Sequence, residues 1–195
     1  MKVTFAFLAA GLFMMSGAAH ATDLNYNYIE VGYFEVDYDD FSEDLTGIAI
    51  GGSMLVANEI YVFGGYQDGE TDRFAGGRLG LTGYTLGVGY RFGLGPQTDF
   101  NFAAAFERAK VEGKGGLSFL GSDSENGYSL SVGVRHLVTR QFELGADVTY
   151  VDISDDDTIL TLGGLLHLSD LVAVGLGYFV GSDADGFEGR LRFKF

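Results

Sequence analysis

Cysteine is absent from this 195-residue sequence, and proline occurs only once, at Pro96. The lack of cysteine excludes a scaffold held together by disulfides. Beyond residue 21, glycine or polar residues interrupt every hydrophobic segment, so no run reaches the roughly 20 apolar residues of a membrane-spanning helix. A helical membrane protein is therefore excluded, although 47% of the residues are hydrophobic.

Basic residues are also scarce. The sequence has 12 of them against 27 acidic residues, and the net charge of −15 becomes −16 if Lys2 is removed. A charge of this sign disfavours nucleic acid and anionic lipid surfaces as partners. The glycine-rich stretch at residues 76–80 is not followed by a helical pattern that could receive a phosphate, so no nucleotide site is predicted.

The residue types used for nucleophilic and acid–base catalysis are nearly missing. Beyond residue 21 the only histidines are His136 and His167, and both lie next to expected short turns, as interfacial polar residues do. His167 is so close in sequence to Ser169 and Asp170 that the three cannot converge as base, nucleophile and orienting acid. The sequence therefore predicts a protein that is not an enzyme.

The first 21 residues have the three parts of a secretory signal. Lys2 gives a positive start, residues 3–15 are apolar and uncharged, and residues 19–21 (AHA) form an A-x-A cleavage site. We therefore expect a signal peptide at residues 1–21 and a single mature domain at residues 22–195.

Alternation of apolar and polar side chains is the main pattern of the mature chain. In the last nine residues, apolar side chains and glycine share one face of a strand, while Glu188, Arg190, Arg192 and Lys194 share the other. Ten segments of strand length carry such a pattern, or eight if one hairpin is misassigned. An even number of strands returns both termini to one side of the membrane, as in bacterial single-chain barrels. The prediction is therefore an all-β fold, a closed antiparallel up-and-down transmembrane β-barrel.

The connections between these segments alternate between short and long. The short ones are residues 57–58, 93–98, 138–141 and 169–170, and the long ones are residues 38–44, 68–73, 112–125, 152–157 and 182–186. In bacterial barrels short turns are periplasmic and long loops extracellular, so we expect periplasmic termini.

Most of the acidic residues fall in the long loops or beside them, which predicts an acidic extracellular rim. These carboxylates keep the rim solvated, and no firmly bound metal or other cofactor is predicted. The alternative is loose binding of divalent cations, for which the best clusters are Asp155, Asp156, Asp157, Asp183, Asp185 and Glu188.

Strand parity separates side chains that face the bilayer from those that face the interior. It places nine charged residues inside, namely Glu30, Arg91, Glu107, Arg135, Glu143, Asp147, Arg190, Arg192 and Lys194. Mutual pairing is expected because an unpaired charge in a narrow interior is costly, and barrel closure brings Glu30 near Arg190 or Arg192. The alternative is a narrow polar pore, in which interior glycines such as Gly87, Gly89, Gly133 and Gly145 leave room for water.

Several short phrases resemble the small bacterial outer-membrane β-barrel proteins of the OmpA/OmpX type, a short porin-like family. These phrases are residues 26–30 (YNYIE), 63–66 (FGGY), 88–90 (VGY) and 133–135 (GVR). The resemblance implies a location in the bacterial outer membrane, with outer-membrane lipid and lipopolysaccharide as neighbours. It also implies insertion by the barrel-assembly machinery, with Phe193 and Phe195 as the assembly signal.

The expected role is non-catalytic. The main interpretation is a surface or envelope-structural protein, and the alternative is a narrow passive pore for ions or small solutes. Adhesion is a third class, which the modest length of the loops disfavours.

Overall fold

The computed structural model describes residues 24–38 and 43–195, so the expected signal peptide at residues 1–21 lies outside the described part. Within it are ten β-strands and one turn of 3-10 helix, Ser118–Leu120. The strands are β1 (Tyr28–Tyr38), β2 (Leu45–Leu55), β3 (Ile60–Thr71), β4 (Gly77–Gly95), β5 (Thr98–Gly115), β6 (Ser122–Thr139), β7 (Phe142–Asp152), β8 (Asp156–His167), β9 (Val172–Val180) and β10 (Ala184–Lys194). No helix in these two ranges is long and apolar enough to cross a membrane.

The sheet closes on itself. Each strand pairs antiparallel with its neighbours in sequence, and β1 pairs with β10 from Tyr28 opposite Lys194 to Tyr38 opposite Ala184. The start of β1, the end of β10 and the short connections after β2, β4, β6 and β8 lie at one end of the barrel, which we call the terminus end. The opposite end is called the loop end. The predicted closed ten-stranded barrel is confirmed.

The outer surface of the barrel is apolar, as alternation predicts. Ile29, Val31 and Tyr33 are exposed on β1, and Phe193 and Phe195 are exposed at the carboxyl terminus. Toward the loop end, aromatic rings pair between neighbouring strands and form a loop-end girdle, made of Tyr66 with Tyr84, Tyr128 with Tyr150, and Tyr178 with Phe187. Such girdles lie where hydrocarbon meets the headgroups of a bilayer.

The connections at the loop end are shorter than the sequence predicted. Residues 112–115 and 122–125, expected in a loop, instead extend the β5–β6 hairpin, in which Glu112 lies opposite Ser122. The other expected loops also lose residues to strands, since β3 reaches Thr71, β8 starts at Asp156 and β10 starts at Ala184. Outside the hydrocarbon both faces of a strand meet water, so the sequence stops alternating although the backbone keeps pairing.

Two hydrophobic clusters occupy the interior at different heights. The loop-end cluster consists of Phe34, Val36, Leu45, Leu81, Ala109, Val151, Ile153, Ile159, Phe179 and Ala184, all of them buried. This single cluster includes residues of β4 and β5 and of β9 and β10, which are opposite walls of the barrel, so it spans the interior. The terminus-end cluster consists of Leu24, Tyr26, Tyr61, Phe63, Ala105 and Leu137.

Large interior rings lie over glycines of the neighbouring strand. Tyr61 is opposite Gly89 and Phe63 is opposite Gly87, and a Cβ added at either glycine would overlap the facing ring. The expectation that such glycines leave room for water is wrong at these two positions, where aromatic rings take the space, and at Gly133, where polar side chains do. The glycines of β4 make room for the aromatic residues of β3.

Replacing Gly89 by alanine is expected to destabilise the barrel by about 1 to 3 kcal/mol, because the new methyl group overpacks the Tyr61 ring. The matched control is Gly189→Ala, whose Cβ would have only Leu176 Cδ2 nearby, at 3.7 Å. Urea unfolding of the refolded barrel, followed by circular dichroism, measures both. Equal stability of the two variants would contradict the account of the β3–β4 wall.

Candidate functional site: the charged interior

All nine charged residues that parity assigns to the interior lie on interior faces. Seven are buried, namely Glu30, Arg91, Glu107, Arg135, Glu143, Arg190 and Arg192, while Asp147 and Lys194 are half-buried. Hydrogen bonds and ion pairs divide the interior charges into three groups.

The first group joins the two ends of the chain. Arg192 on β10 donates hydrogen bonds from Nε and Nη2, at 2.9 and 2.8 Å, to Oε2 of Glu30 on β1. The Arg192 guanidinium also lies 3.7 Å from the centre of the Tyr28 ring. Barrel closure offered Arg190 or Arg192 as the partner of Glu30, and the partner is Arg192. Arg190 instead lies 3.3 Å from the Glu188 carboxylate.

The second group lies near the terminus end. Arg135 Nε donates to Oε1 of Glu143 at 2.6 Å, and both side chains are almost fully buried. His167 Nε2 lies 3.3 Å from Oε2 of the same carboxylate, and its Nδ1 lies 3.3 Å from Lys194 Nζ. This arrangement fits a ring that donates from Nε2 and accepts at Nδ1.

The two histidines differ in their environment. His136 is exposed on the outer surface, with Nδ1 2.9 Å from the Thr98 hydroxyl, as expected of an interfacial residue. His167 faces the interior instead, and the sequence interpretation of it as interfacial is wrong. His167 lies an even number of residues after the buried Thr161 and Leu165, so the three share one face of β8. Strand parity alone therefore predicts that His167 faces the interior.

A residue that the sequence analysis did not single out lies at the centre of the terminus end. Tyr26 precedes β1 and is fully buried. Its side chain contacts residues of strands on the opposite wall of the barrel. The guanidinium carbons of Arg91 and Arg135 lie 4.8 and 4.7 Å from its ring centre, and its hydroxyl donates to Asp99 Oδ2 at 3.2 Å. Residues 24–27 therefore cross beneath the barrel and close its terminus end around Tyr26.

The third group lies between the two hydrophobic clusters and contains acids alone. Glu107 accepts hydrogen bonds from the hydroxyls of Thr85 and Ser129, at 2.6 and 2.7 Å, and Asp147 accepts one from Thr149 at 2.6 Å. Among the described residues neither carboxylate has an ion-pair partner. The expectation of mutual pairing throughout the interior is thus wrong for these two acids, which are held by hydroxyl groups.

The six acidic residues expected to hold a divalent cation are in separate settings. Asp157 accepts hydrogen bonds from the backbone and hydroxyl of Ser182, at 3.0 and 2.7 Å, and Asp185 accepts one from Tyr178 at 2.9 Å. The exposed ones are Asp155, Asp156 and Asp183. In residues 24–38 and 43–195, no group of three or more acidic or histidine side chains is arranged to hold a metal ion.

Glu188 does not lie on the acidic rim, and the prediction that it belongs there is wrong. Strand β10 starts at Ala184, and its even-numbered residues face the interior. Glu188 therefore lies inside, next to Arg190, and belongs with the interior charges.

A family model described as "Outer membrane protein beta-barrel domain" matches residues 5–178, which is most of the chain. The protein belongs to this family. As a member of it, this outer-membrane β-barrel protein is located in the bacterial outer membrane. No curated relative matches the sequence at a significant level.

Solved structures of several small outer-membrane barrels are similar to this outer-membrane β-barrel protein. The NanC porin is 9% identical, with a TM-score of 0.54 over 86% of this chain and all of that chain. The KdgM porin is 10% identical, with a TM-score of 0.47 over 85% of this chain and 99% of that one. Ail, the attachment invasion locus protein of Yersinia pestis, is 15% identical, with a TM-score of 0.48 over 86% of this chain and 97% of that one.

The Glu30–Arg192 pair provides a test of the interior. Glu30→Gln should destabilise this outer-membrane β-barrel protein by about 3 to 5 kcal/mol, because it leaves the buried Arg192 without its counter-charge. The double variant Glu30→Met with Arg192→Met should recover most of that loss. The control is Glu112→Gln, which removes an exposed ion pair with Lys110 and should have little effect. If Glu30→Gln unfolds at the same urea concentration as Glu112→Gln, the pair does not hold the closing strands.

Proposed function

We propose that this protein is a non-conducting outer-membrane barrel with a structural role at the bacterial surface. The observation that carries the proposal is that clusters of buried hydrophobic side chains span the interior at two heights. A barrel that conducts needs a continuous wet path through its interior, and side chains fill the interior of small barrels.

The loop-end cluster supplies the first seal. Phe34 and Phe179 face inward from β1 and β9, and both are at most 5% exposed. Ile153, in the connection between β7 and β8, belongs to the same cluster and is 2% exposed. An ion entering from the loop end therefore meets apolar side chains before it reaches any interior charge.

Residues 24–27 and the terminus-end cluster supply the second seal. Tyr26 and Tyr61 are both fully buried, with ring centres 5.7 Å apart. The nearby cations are already engaged, since Arg135 donates to Glu143 and Arg91 donates from Nε and Nη2 to the backbone oxygen of Asn58. Few charged groups remain here to favour the passage of a hydrated ion.

The proposed role is also non-catalytic. Of the two histidines in the described chain, His167 has a polar partner at each ring nitrogen, and His136 faces outward at the terminus end. His136 lies beside the Thr98 hydroxyl, but among the described residues it forms no ion pair with a carboxylate that could orient it as a general base for that hydroxyl.

The proposed orientation has the loop end outside the cell and the termini in the periplasm. Strands β4, β5 and β6 are 18 or 19 residues long, against 9 to 12 for the other seven, so one wall projects beyond the membrane at the loop end. Long extracellular extensions and short periplasmic turns are typical of bacterial barrels. The exposed acids Asp155, Asp156 and Asp183 then contribute to a negative surface that discourages self-association.

Planar-bilayer recording of the purified, refolded protein tests the proposal. The wild-type protein should give no discrete conductance steps. Since the two seals act in series, opening either one alone should leave the barrel silent, either with Tyr26→Ala plus Tyr61→Ala or with Phe34→Ala plus Phe179→Ala. The variant with all four changes should conduct.

The control removes aromatic side chains that face lipid, with Tyr33→Ala and Phe187→Ala, and it should also remain silent. Circular dichroism establishes that each variant keeps its β-sheet content. Discrete, ion-selective steps from the wild-type protein would refute the proposal and support the alternative, a narrow passive pore.

A further inference from the structure

Basic side chains are unevenly distributed over the outer surface. In the described part of the chain, five basic residues face the interior, Arg73 lies in a loop-end connection and Arg140 in a turn at the terminus end. The remaining four face outward from strands, and all of them lie on the β4–β5 hairpin. These four, Arg78, Arg108, Lys110 and Lys114, are called the basic patch.

The basic patch begins at the level of the loop-end girdle. Arg108 lies directly opposite Tyr84, whose ring pairs with that of Tyr66 at 5.2 Å. Lys110 and Lys114 follow on the same face of β5, so the patch extends roughly 20 Å along the strand away from the hydrocarbon. This height coincides with the headgroups of the adjacent lipid leaflet.

Acidic residues hold three of the four cations in place. Glu70 on β3 accepts hydrogen bonds from Arg78 at 3.0 Å and from Lys114 at 2.7 Å. Lys110 pairs with Glu112 on the same strand. The paired cations remain about 40 to 47% exposed, so they keep donors available to a ligand outside the barrel.

Arg108 differs from the other three because no acidic residue in the described chain forms an ion pair with it. Its side chain is exposed, and its neighbour across the β5–β6 ladder is Asn126, an exposed amide. Ser124 lies opposite Lys110 in the same way and adds a hydroxyl donor. Guanidinium, ammonium, amide and hydroxyl donors on one outward face match the oxygens of a phosphate group.

We propose that the basic patch binds phosphate groups of the phosphorylated glycolipid of the outer leaflet, with Arg108 on the phosphate nearest the hydrocarbon and Lys110 and Lys114 on groups farther out. A lipid is the ligand because the patch faces the bilayer side of the wall and starts at the girdle. The inference uses the orientation proposed above, and it reverses the expectation from net charge that anionic lipid is repelled. It does not depend on whether the barrel conducts.

Binding of purified lipopolysaccharide to the refolded barrel in neutral detergent, with a chelator present, tests this inference. The chelator removes divalent cations, which otherwise bridge acidic residues to phosphate. The wild-type protein should bind the phosphorylated glycolipid about tenfold more tightly than the same glycolipid without its phosphates, since each phosphate adds charge-assisted hydrogen bonds. Arg108→Gln with Lys110→Gln should abolish that preference.

Two further variants test whether binding depends on where the positive charges lie. Arg73→Gln with Arg140→Gln removes two cations outside the patch and should keep the wild-type preference. Arg108→Lys with Lys110→Arg changes the same two side chains but keeps both positive charges, and it should still prefer the phosphorylated glycolipid. A loss seen only in the glutamine variant then comes from the missing charges and not from misfolding.

Equal affinity for the two glycolipids, or an equal loss in the Arg73 and Arg140 control, would overturn the proposal. Displacement of the glycolipid by an equal concentration of inorganic phosphate would also overturn it, because the patch would then be a general anion site. The test is independent of the conductance experiment, so failure of one proposal can be told from failure of the other.

Discussion

The structure depends on one constraint: inside hydrocarbon, every backbone N–H and C=O must find a partner within the protein. The chain meets it by pairing its first and last strands, so the ladder between β1 and β10 completes the ring. Glu30 and Arg192 lie opposite each other in that ladder and form a buried ion pair, which links the two ends of the sequence from inside. Burial of such a pair is costly when one partner is missing, so it fixes the register as well as the contact.

Closure at ten strands determines what the interior must hold. The enclosed space is too wide for small side chains alone, and this chain fills it with aromatic rings set over glycines, as Tyr61 is over Gly89. The segment before β1 adds Tyr26 between two guanidinium groups of the opposite wall. Apolar contacts at both ends thus enclose a middle layer in which Glu107 and Asp147 are held by hydroxyl groups. The same packing that stabilises the closed sheet is the basis of the proposed absence of conduction.

Alternation predicts the strands and the sidedness of their residues because the period of two is a local property of the chain. It correctly placed Glu30 and Arg192 inside and Ile29 and Phe193 outside. It failed where the local signal fades, since residues 112–115 and 122–125 stay paired outside the membrane. Contacts between strands distant in sequence, such as Tyr26 with Asp99, depend on barrel closure and curvature, which no local pattern encodes.

The central claim is that the middle of the barrel is sealed from water, and thiol labelling tests it most directly because the chain has no cysteine of its own. Ser129 is 8% exposed and donates to Glu107 between the two clusters, whereas Ser124 on the same strand is exposed outside. In the folded protein, Ser129→Cys should resist a small water-soluble thiol reagent that rapidly modifies Ser124→Cys, and it should react once urea unfolds the barrel. Modification of folded Ser129→Cys at the rate of Ser124→Cys would contradict the account.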